Sequence, residues 1–277
     1  MTTRTLRRDV AIEGVGIHSG APCRATLRPC AAGHGIAFTR GRAVVAATWR
    51  HADAEASDRR TVIVGDGGER FEQIEHLMAA LYAAGISDAL VEQAGPEVPF
   101  LGGGALEFLN AIREAGTEDT GAPRPVLAIG AAETVEDGNA LMVATAHDGL
   151  RLSCFVEFPG TIVGNMGFSM EVDEESFLRE AAPARTFALA SDLEKLRAAG
   201  LIRGGNLQNA VVFDHERYYN ESLAFPDEVV RHKIVDLLGD LALIPAVLRG
   251  HFWAWRAGHR GHVKFAQRLA ATWQEQG

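Results

Sequence analysis

Three polar side chains recur at four-residue intervals in the otherwise apolar stretch "RHKIVDLLGD" of residues 231–240, namely His232, Asp236 and Asp240. In an α-helix, side chains four apart share a face with Cβ atoms about 5–6 Å apart, so His232 and Asp236 could bind one metal ion. A solvent-exposed histidine–aspartate pair is the commoner cause of this spacing. Here the neighbours are mainly Val, Ile and Leu, and a charge buried among them needs a partner or a metal. We therefore predict a metal site on this helix.

A second polar interruption lies in the first half of the chain, where Glu75 and His76 stand inside the core-like helical pattern "FEQIEHLMAAL". We predict that His76 supplies a third ligand to the same ion. Three protein ligands leave a fourth position for water, which is typical of a catalytic rather than a structural zinc site. Glu75 would then lie beside that water as a general base.

A further histidine with a chemical role is His259, in "AGHRGHVKF", which we place on the turn before the last helix. A protonated imidazole there could stabilise a developing oxyanion or protonate a leaving amine. A histidine at a helix start without any catalytic role is the alternative. His262, three residues later, is predicted to lie at the surface.

The bulk composition limits the classes of function. The 277 residues suffice for two domains, and an apolar content of 47% allows a substantial core. A net charge of −9 without a long run of Lys and Arg argues against nucleic-acid binding. Three cysteines without a CxxC motif suit a reducing compartment, and neither a signal peptide nor an apolar run of membrane-spanning length is found. We expect a cytoplasmic protein.

Hydrophobic periodicity predicts an α+β fold in which each half of the chain has several strands followed by two helices separated by a strand. The helices are predicted over 71–84, 105–116, 174–182, 190–200, 227–248 and 260–275. The segment "AGTEDTGAPRPV" is rich in Gly, Pro, Thr and acidic residues and is the best linker candidate. We therefore predict a first domain over 1–117, a linker over 118–125 and a second domain over 126–277.

Several motifs in fixed order carry a resemblance to a known family. They are "GVGIHSG" (14–20), "IEHLMAAL" (74–81), "GPEVPFLGGGA" (95–105), "ARTF" (184–187), "GGNLQNAVVFD" (204–214), "RHKIVDLLGDL" (231–241) and "AGH" (257–259). In this combination, over nearly the whole chain, the sequence resembles the UDP-3-O-acyl-N-acetylglucosamine deacetylase family. The resemblance implies a zinc-dependent hydrolase that removes acetate from a UDP-linked acylated amino sugar, the committed step of lipid A synthesis.

The resemblance also implies a fold and a set of roles. Two similar domains would each layer a β-sheet on a pair of helices, with the helices of the two domains packed together and a small insert in each. One Zn²⁺ per chain, or Fe²⁺ at the same ligands, would lie between the domains. The implied roles are metal binding by His76, His232 and Asp236, general base catalysis by Glu75, cationic assistance by His259 oriented by Asp240, polarisation of the acetyl carbonyl by Thr186, and substrate contacts from Lys233, Phe187 and His18.

The chain departs from the family pattern at Gln73, where Ser or Thr is usual, at Gly102, where Asp is usual, and at Gly104, where Ser is usual. These departures leave two alternatives open. The chain could be a paralogous deacetylase of another acetamido sugar, or a non-catalytic protein of the same fold that binds a sugar nucleotide or lipid. For the leading interpretation we expect a monomer without a membrane span that works beside the inner membrane.

Overall fold

The computed structural model of the chain describes residues 1–275. In the first half, nine strands and two helices follow one another. They are β1 (Thr2–Leu6), β2 (Val10–Val15), β3 (Pro22–Pro29), β4 (Ile36–Arg40), β5 (Ala43–Ala46), β6 (Val62–Val64), β7 (Arg70–Glu72), α1 (Glu75–Ala83), β8 (Ala89–Ala94), α2 (Leu106–Ala115) and β9 (Thr117–Pro123).

The second half has eight strands and four helices, with one short 3₁₀ turn (Ala190–Asp192) before α4. The elements are β10 (Val126–Ala128), β11 (Glu133–Asp137), β12 (Ala140–Thr145), β13 (Leu150–Phe158), β14 (Gly164–Glu171), α3 (Glu174–Glu180), β15 (Thr186–Leu189), α4 (Leu193–Ala198), β16 (Ala210–Phe213), α5 (Glu228–Leu241), β17 (Val247–Trp255) and α6 (His259–Glu275).

Two mixed sheets dominate the molecule, and their strand orders correspond. The first runs β2-β3-β8-β4-β5 and the second β11-β12-β17-β13-β14, with β10 pairing in parallel at the end of β17. In each sheet the strand between the two long helices, β8 or β17, is central. It pairs antiparallel with one neighbour and parallel with the other. The two halves therefore repeat one topology although their sequences show no evident identity.

Helices α1 and α2 cover the first sheet and α5 and α6 the second, and α1 packs directly against α5. Both inner helices are buried around most of their circumference, and the buried residues include Glu75 and His76 of α1 and His232, Asp236 and Asp240 of α5. One hydrophobic core runs through the helical layer between the sheets. Several polar groups at the contact of α1 and α5 are thus buried.

Two small elements lie beside this frame. The hairpin of β6 and β7 precedes α1, and the parallel pair of β15 and β16 with α4 between them precedes α5. Both elements contribute side chains to the region where α1 and α5 meet. No helix within residues 1–275 combines the length and the apolarity that crossing a bilayer requires.

Several predicted boundaries need correction. The helix predicted over 71–84 begins only at Glu75, because β7 and Gln73, which has φ 63°, precede it. The helix predicted over 227–248 ends at Leu241, before Pro245, which disfavours helical backbone at the residue before it. Most of the predicted linker 118–125 lies in β9 and pairs with β1. The division into domains at this segment stays a prediction.

Candidate active site

The site lies where α1 and α5 touch, and a glycine allows the contact. A Cβ atom on Gly239 of α5 would lie 2.7 Å from the carbonyl carbon of Glu75 in α1 and would collide with its oxygen. The absence of a side chain at residue 239 therefore brings the two backbones close together. This approach places side chains from remote parts of the sequence within reach of each other.

Three potential metal ligands converge at this contact. The Nε2 atom of His232 is 3.2 Å and that of His76 is 3.7 Å from Oδ1 of Asp236, and all three side chains are buried. The two imidazole rings are perpendicular, at 87°, with centroids 4.9 Å apart. Ligand atoms about 2.0–2.2 Å from a four-coordinate cation lie about 3.4 Å from one another. The observed separations fit one such cation.

The hydrogen bonds around the cluster leave the metal-binding atoms free. His232 contacts the carbonyl of Ala184 through Nδ1 at 3.0 Å, so that Nδ1 carries the proton and Nε2 has a free lone pair. Lys233 donates to Oδ2 of Asp236 at 2.8 Å. Among residues 1–275 no donor bonds to Oδ1 of Asp236, although this atom is buried. An unsatisfied buried carboxylate oxygen facing two imidazole nitrogens fits a divalent cation.

Electrostatics keep Asp236 ionised. Burial alone would raise the pKa of this carboxyl, but the charges of Lys233 and His232 hold the pKa well below its usual range. The pKa of Lys233 is in turn raised, because its attraction to Asp236 outweighs burial. A carboxylate must be ionised to bind a metal ion, so this low pKa suits the role of a metal ligand.

Glu75 lies next to this cluster and is held through both of its oxygens. The backbone N–H of Thr61 donates to Oε2 at 2.9 Å, and the side-chain amide of Gln73 donates to Oε1 at 2.7 Å. Burial raises the pKa of the Glu75 carboxyl, and the nearby charge of His259 partly opposes this shift. A positioned carboxylate with a raised pKa has the properties of a general base.

His259, the first residue of α6 rather than a turn residue, lies opposite Glu75. Its Nε2 is 3.9 Å from Oε1 of Glu75 and 3.9 Å from Oδ1 of Asp236, while its Nδ1 bonds to Oδ2 of Asp240 at 2.8 Å. Burial would lower the pKa of His259, but the carboxylates of Asp240, Asp236 and Glu75 together raise the pKa to about 9. A cationic imidazole and a carboxylate therefore face the same small volume.

Asp240 is the acceptor that organises this side of the site. Besides His259 it accepts from the hydroxyl of Thr61 and, at Oδ2, from Nδ1 of His262 at 2.9 Å. The prediction that His262 lies at the surface is wrong, since its side chain is fully buried. Burial lowers the pKa of His262, and this neutral imidazole is a fixed donor to Asp240.

A cavity of about 600 Å³ adjoins the ionisable cluster. Thr186, Phe187 and His18 line it together with Phe100 and Gln73. The ring of Phe187 lies 6.2 Å from that of His232, and the ring of Phe100 lies 5.5 Å from that of His76. Two side chains of the cavity wall therefore neighbour the imidazoles of His76 and His232. Its far wall, from α4 to β16, is mainly apolar, with Leu193, Leu196, Ile202, Leu207 and Val212, and also carries Glu194 and Arg197.

The chain is similar to known proteins over nearly its whole length. The family model described as LpxC, UDP-3-O-acyl N-acetylglycosamine deacetylase, matches residues 3–271. The chain is 39% identical to a UDP-3-O-acyl-N-acetylglucosamine deacetylase of Synechocystis sp., over 98% of this chain and 99% of that protein. It is 39% identical to the protein of the same name from Myxococcus xanthus, over 96% of this chain and 85% of the relative.

The chain belongs to the UDP-3-O-acyl-N-acetylglucosamine deacetylase family. A third relative of that name, from Thermosynechococcus vestitus, is 38% identical over 97% of this chain and 94% of its own length. The similarity spans both halves and therefore both helices that form the site.

Within this deacetylase family fold, the structure brings most of the predicted site residues together. Glu75, His76, His232, Asp236, Asp240 and His259 form one buried cluster, and Thr186, Phe187 and His18 line the adjoining cavity. Lys233 contacts Asp236. Thr61, which contacts both Glu75 and Asp240, was not predicted and carries no signal in the sequence beyond its place before a short strand. Gln73 stands out in the sequence only as a departure from the family pattern, and His262 was predicted at the surface.

Proposed function

We propose that this chain hydrolyses the N-acetyl group of UDP-3-O-acyl-N-acetylglucosamine to the free amine and acetate, with one zinc ion per chain. The proposal rests above all on the unsatisfied Oδ1 of Asp236, buried between the imidazoles of His76 and His232 and next to Glu75. Membership of the deacetylase family supports the choice of substrate.

His76, His232 and Asp236 would hold the cation, and Fe²⁺ suits the same ligands. When bound, the metal would supply Lewis acidity towards the acetyl carbonyl and towards the attacking water. Lys233 would keep Asp236 ionised and oriented from its other oxygen. We also propose that the Lys233 ammonium contacts the substrate from this place.

Glu75 would act as the general base. Its two hydrogen bonds fix the carboxylate before substrate binds, so little reorganisation is needed during the reaction. In the proposed step the water oxygen forms a bond to the carbonyl carbon as Glu75 takes the water's proton. The carbon–nitrogen bond then breaks, the nitrogen gains a proton, and acetate and the amine leave.

His259 would act as the cationic partner across the site. Asp240 orients its ring through Nδ1, which leaves Nε2 towards the space shared with Glu75. From there a protonated Nε2 could donate to the developing oxyanion or to the departing amine. Thr186, at the cavity wall, would add a hydroxyl donor to the acetyl carbonyl.

The cavity would hold the rest of the substrate. Its apolar wall around α4 suits the acyl chain, with Phe187 at the start of this segment, and His18 is a further residue of the cavity lining. The repeated topology supports two domains, 1–117 and 126–277, with the hairpin β6–β7 and the β15–α4–β16 segment as their inserts. The monomeric state, a place beside the inner membrane and the cytoplasmic location stay predictions.

The proposal is tested by acetate release from the acylated UDP-sugar and from the same sugar without its acyl chain, each with and without a chelator. We expect release from the acylated substrate, much slower release from the non-acylated one, and loss of both with chelator. Equal rates on the two sugars would contradict the role of the apolar wall and favour another acetamido sugar. No release from either sugar by zinc-loaded protein would refute the proposed activity.

A further inference from the structure

Gln73 lies between β7 and α1 in a backbone conformation that side chains rarely adopt. Its φ is 63°, and the residue is only 7% exposed. Its backbone N–H donates to the carbonyl of Thr61 at 3.1 Å. Left-handed backbone at a non-glycine residue is maintained only where the surroundings fix it, and such positions cluster at functional sites.

The side chain of Gln73 has one partner and one free end. Its Nε2 donates to Oε1 of Glu75 at 2.7 Å. An ionised carboxylate only accepts hydrogen bonds, so the amide nitrogen must face Glu75 and the amide oxygen must face away. Among the described residues that oxygen, Oε1 of Gln73, is buried without a hydrogen-bond partner.

Gln73 lines the cavity, and the free oxygen of its side-chain amide is separated from Glu75, the proposed general base, only by the amide group itself. An unsatisfied buried carbonyl is costly, and a ligand that donates to it recovers this free energy. The group that must approach Glu75 for hydrolysis is the acetamide. An acetamide has one donor, its N–H, while its carbonyl oxygen would be repelled by another carbonyl.

We propose that Gln73 is a positioning and specificity residue that acts through both ends of its amide. Its nitrogen holds the carboxylate of Glu75, and its carbonyl oxygen accepts a hydrogen bond from the N–H of the acetamido group to be hydrolysed. This inference rests on the proposed deacetylase function and extends it. It gives a role to a residue at which the chain departs from the family pattern.

The two roles have different kinetic consequences. Positioning of Glu75 serves every substrate that needs the base, whereas the contact with N–H serves only amides. An analogue with an O-acetyl ester in place of the N-acetyl group lacks this donor. A substitution that removes both ends of the Gln73 amide should therefore harm the amide substrate more than the ester.

The test compares wild type with Gln73→Met, which is similar in length but has neither the donor nor the acceptor, on the amide substrate and on its ester analogue. We expect kcat to fall about tenfold on both substrates through loss of positioning. We expect a further loss of about five- to tenfold in kcat/KM on the amide alone, the equivalent of one neutral hydrogen bond. Equal losses on the two substrates would refute the N–H contact, and unchanged kcat would refute the positioning role.

Gln93→Met is the matched control. Gln93 is also a buried glutamine with an unpartnered Oε1, but it lies on β8 and does not line the cavity. We expect its substitution to leave the amide-to-ester ratio of kcat/KM at the wild-type value. A change in that ratio as large as for Gln73→Met would show a general packing effect and overturn the inference.

A second variant and an NMR measurement test the role of Gln73 if Gln73→Met does not fold or turnover cannot be followed. If Gln73→Met does not fold, Gln73→Asn carries the test, because Asn tolerates left-handed backbone but is too short to reach both partners. The side-chain N–H signals of Gln73 in an NMR spectrum should shift on Glu75→Ala, with or without turnover. An unchanged signal refutes the bond to Glu75, whereas absence of acetate release by wild type refutes the proposed function instead.

Discussion

Replacing Gly239 by alanine tests whether the close contact of α1 and α5 assembles the site. In an exposed helix this change would stabilise the protein by about 1 kcal/mol, because alanine has the higher helix propensity. Here the new Cβ would lie 2.7 Å from the carbonyl carbon and 3.0 Å from the Cα of Glu75. These are backbone atoms, which cannot rotate out of the way.

The helices must therefore separate by a few tenths of an ångström up to about an ångström before ordinary van der Waals contact is restored. Overpacking of this kind costs about 1–3 kcal/mol, which outweighs the gain in helix propensity. The same movement displaces His76 on α1 from His232 and Asp236 on α5. The proposed metal ligands come from both helices, so we expect the metal affinity to fall about 10–100-fold, the loss typical when groups that orient metal ligands are disturbed.

Urea unfolding would measure the free energy of unfolding, and competition with a chelating dye would measure metal affinity. Gly261→Ala is the control, because Gly261 also lies in a helix but its new Cβ would come closest to the flexible end of Met142, at 3.2 Å, and not to backbone. We expect the control to be neutral or stabilising. If Gly239→Ala is as stable as the control and keeps wild-type metal affinity, the reasoning about the helix contact is wrong.

Other predictions concern individual site residues. His232→Ala should abolish tight metal binding, measured by metal analysis of the purified protein. The control His147→Ala, at a partly exposed histidine, should leave the metal in place. A full equivalent of metal in His232→Ala would contradict the ligand assignment. Glu75→Ala should keep the metal but lose turnover by about 10²–10⁴-fold, and wild-type rates would show that the base is elsewhere. In metal-free protein, Asp240→Asn should lower the pKa of His259 from about 9 towards its ordinary value in an NMR titration. A pKa that is higher in the folded than in the unfolded protein stabilises the fold at pH values below the unfolded-state pKa, and this stabilisation is lost as pH rises through the folded-state pKa. Metal-free wild type should therefore lose stability towards alkaline pH, and Asp240→Asn should lose less.

The strong periodic elements could be predicted from the sequence. Both inner helices, the strands between the helix pairs and the α+β class follow from apolar spacing, which local chemistry determines. Strand β14, Gly164–Glu171, was not predicted, because its sequence contains glycines and methionines and none of the β-branched residues that are typical of strands. Its strand character comes from pairing along the whole of β13, which is a tertiary effect.

The candidate metal ligands could be proposed from the sequence for a different reason. His232 and Asp236 are polar residues at helical spacing on a helix that is otherwise apolar, and burial of such groups demands an explanation. Thr61 and His262 could not be found in this way. Thr61 acts through its backbone N–H and a hydroxyl at a hairpin, and His262 lies between the charged residues Arg260 and Lys264, so the local sequence looks solvent-exposed.

Within residues 1–275, most of the buried side-chain atoms without a hydrogen-bond partner lie at or next to the candidate site. Buried polar groups in folded proteins normally have partners, so an unpartnered atom marks either a cost or a missing ligand. Apart from that of Gln93, the unpartnered buried side-chain atoms of the described residues belong to Asp236, Gln73, His18 and His262. The first three residues form the metal cluster or line the cavity, and the last is bonded to Asp240 through its other nitrogen. Three of these residues thus lie in the candidate metal cluster or the adjoining cavity, where a cation and a polar substrate would supply the partners that the described part of the chain itself does not.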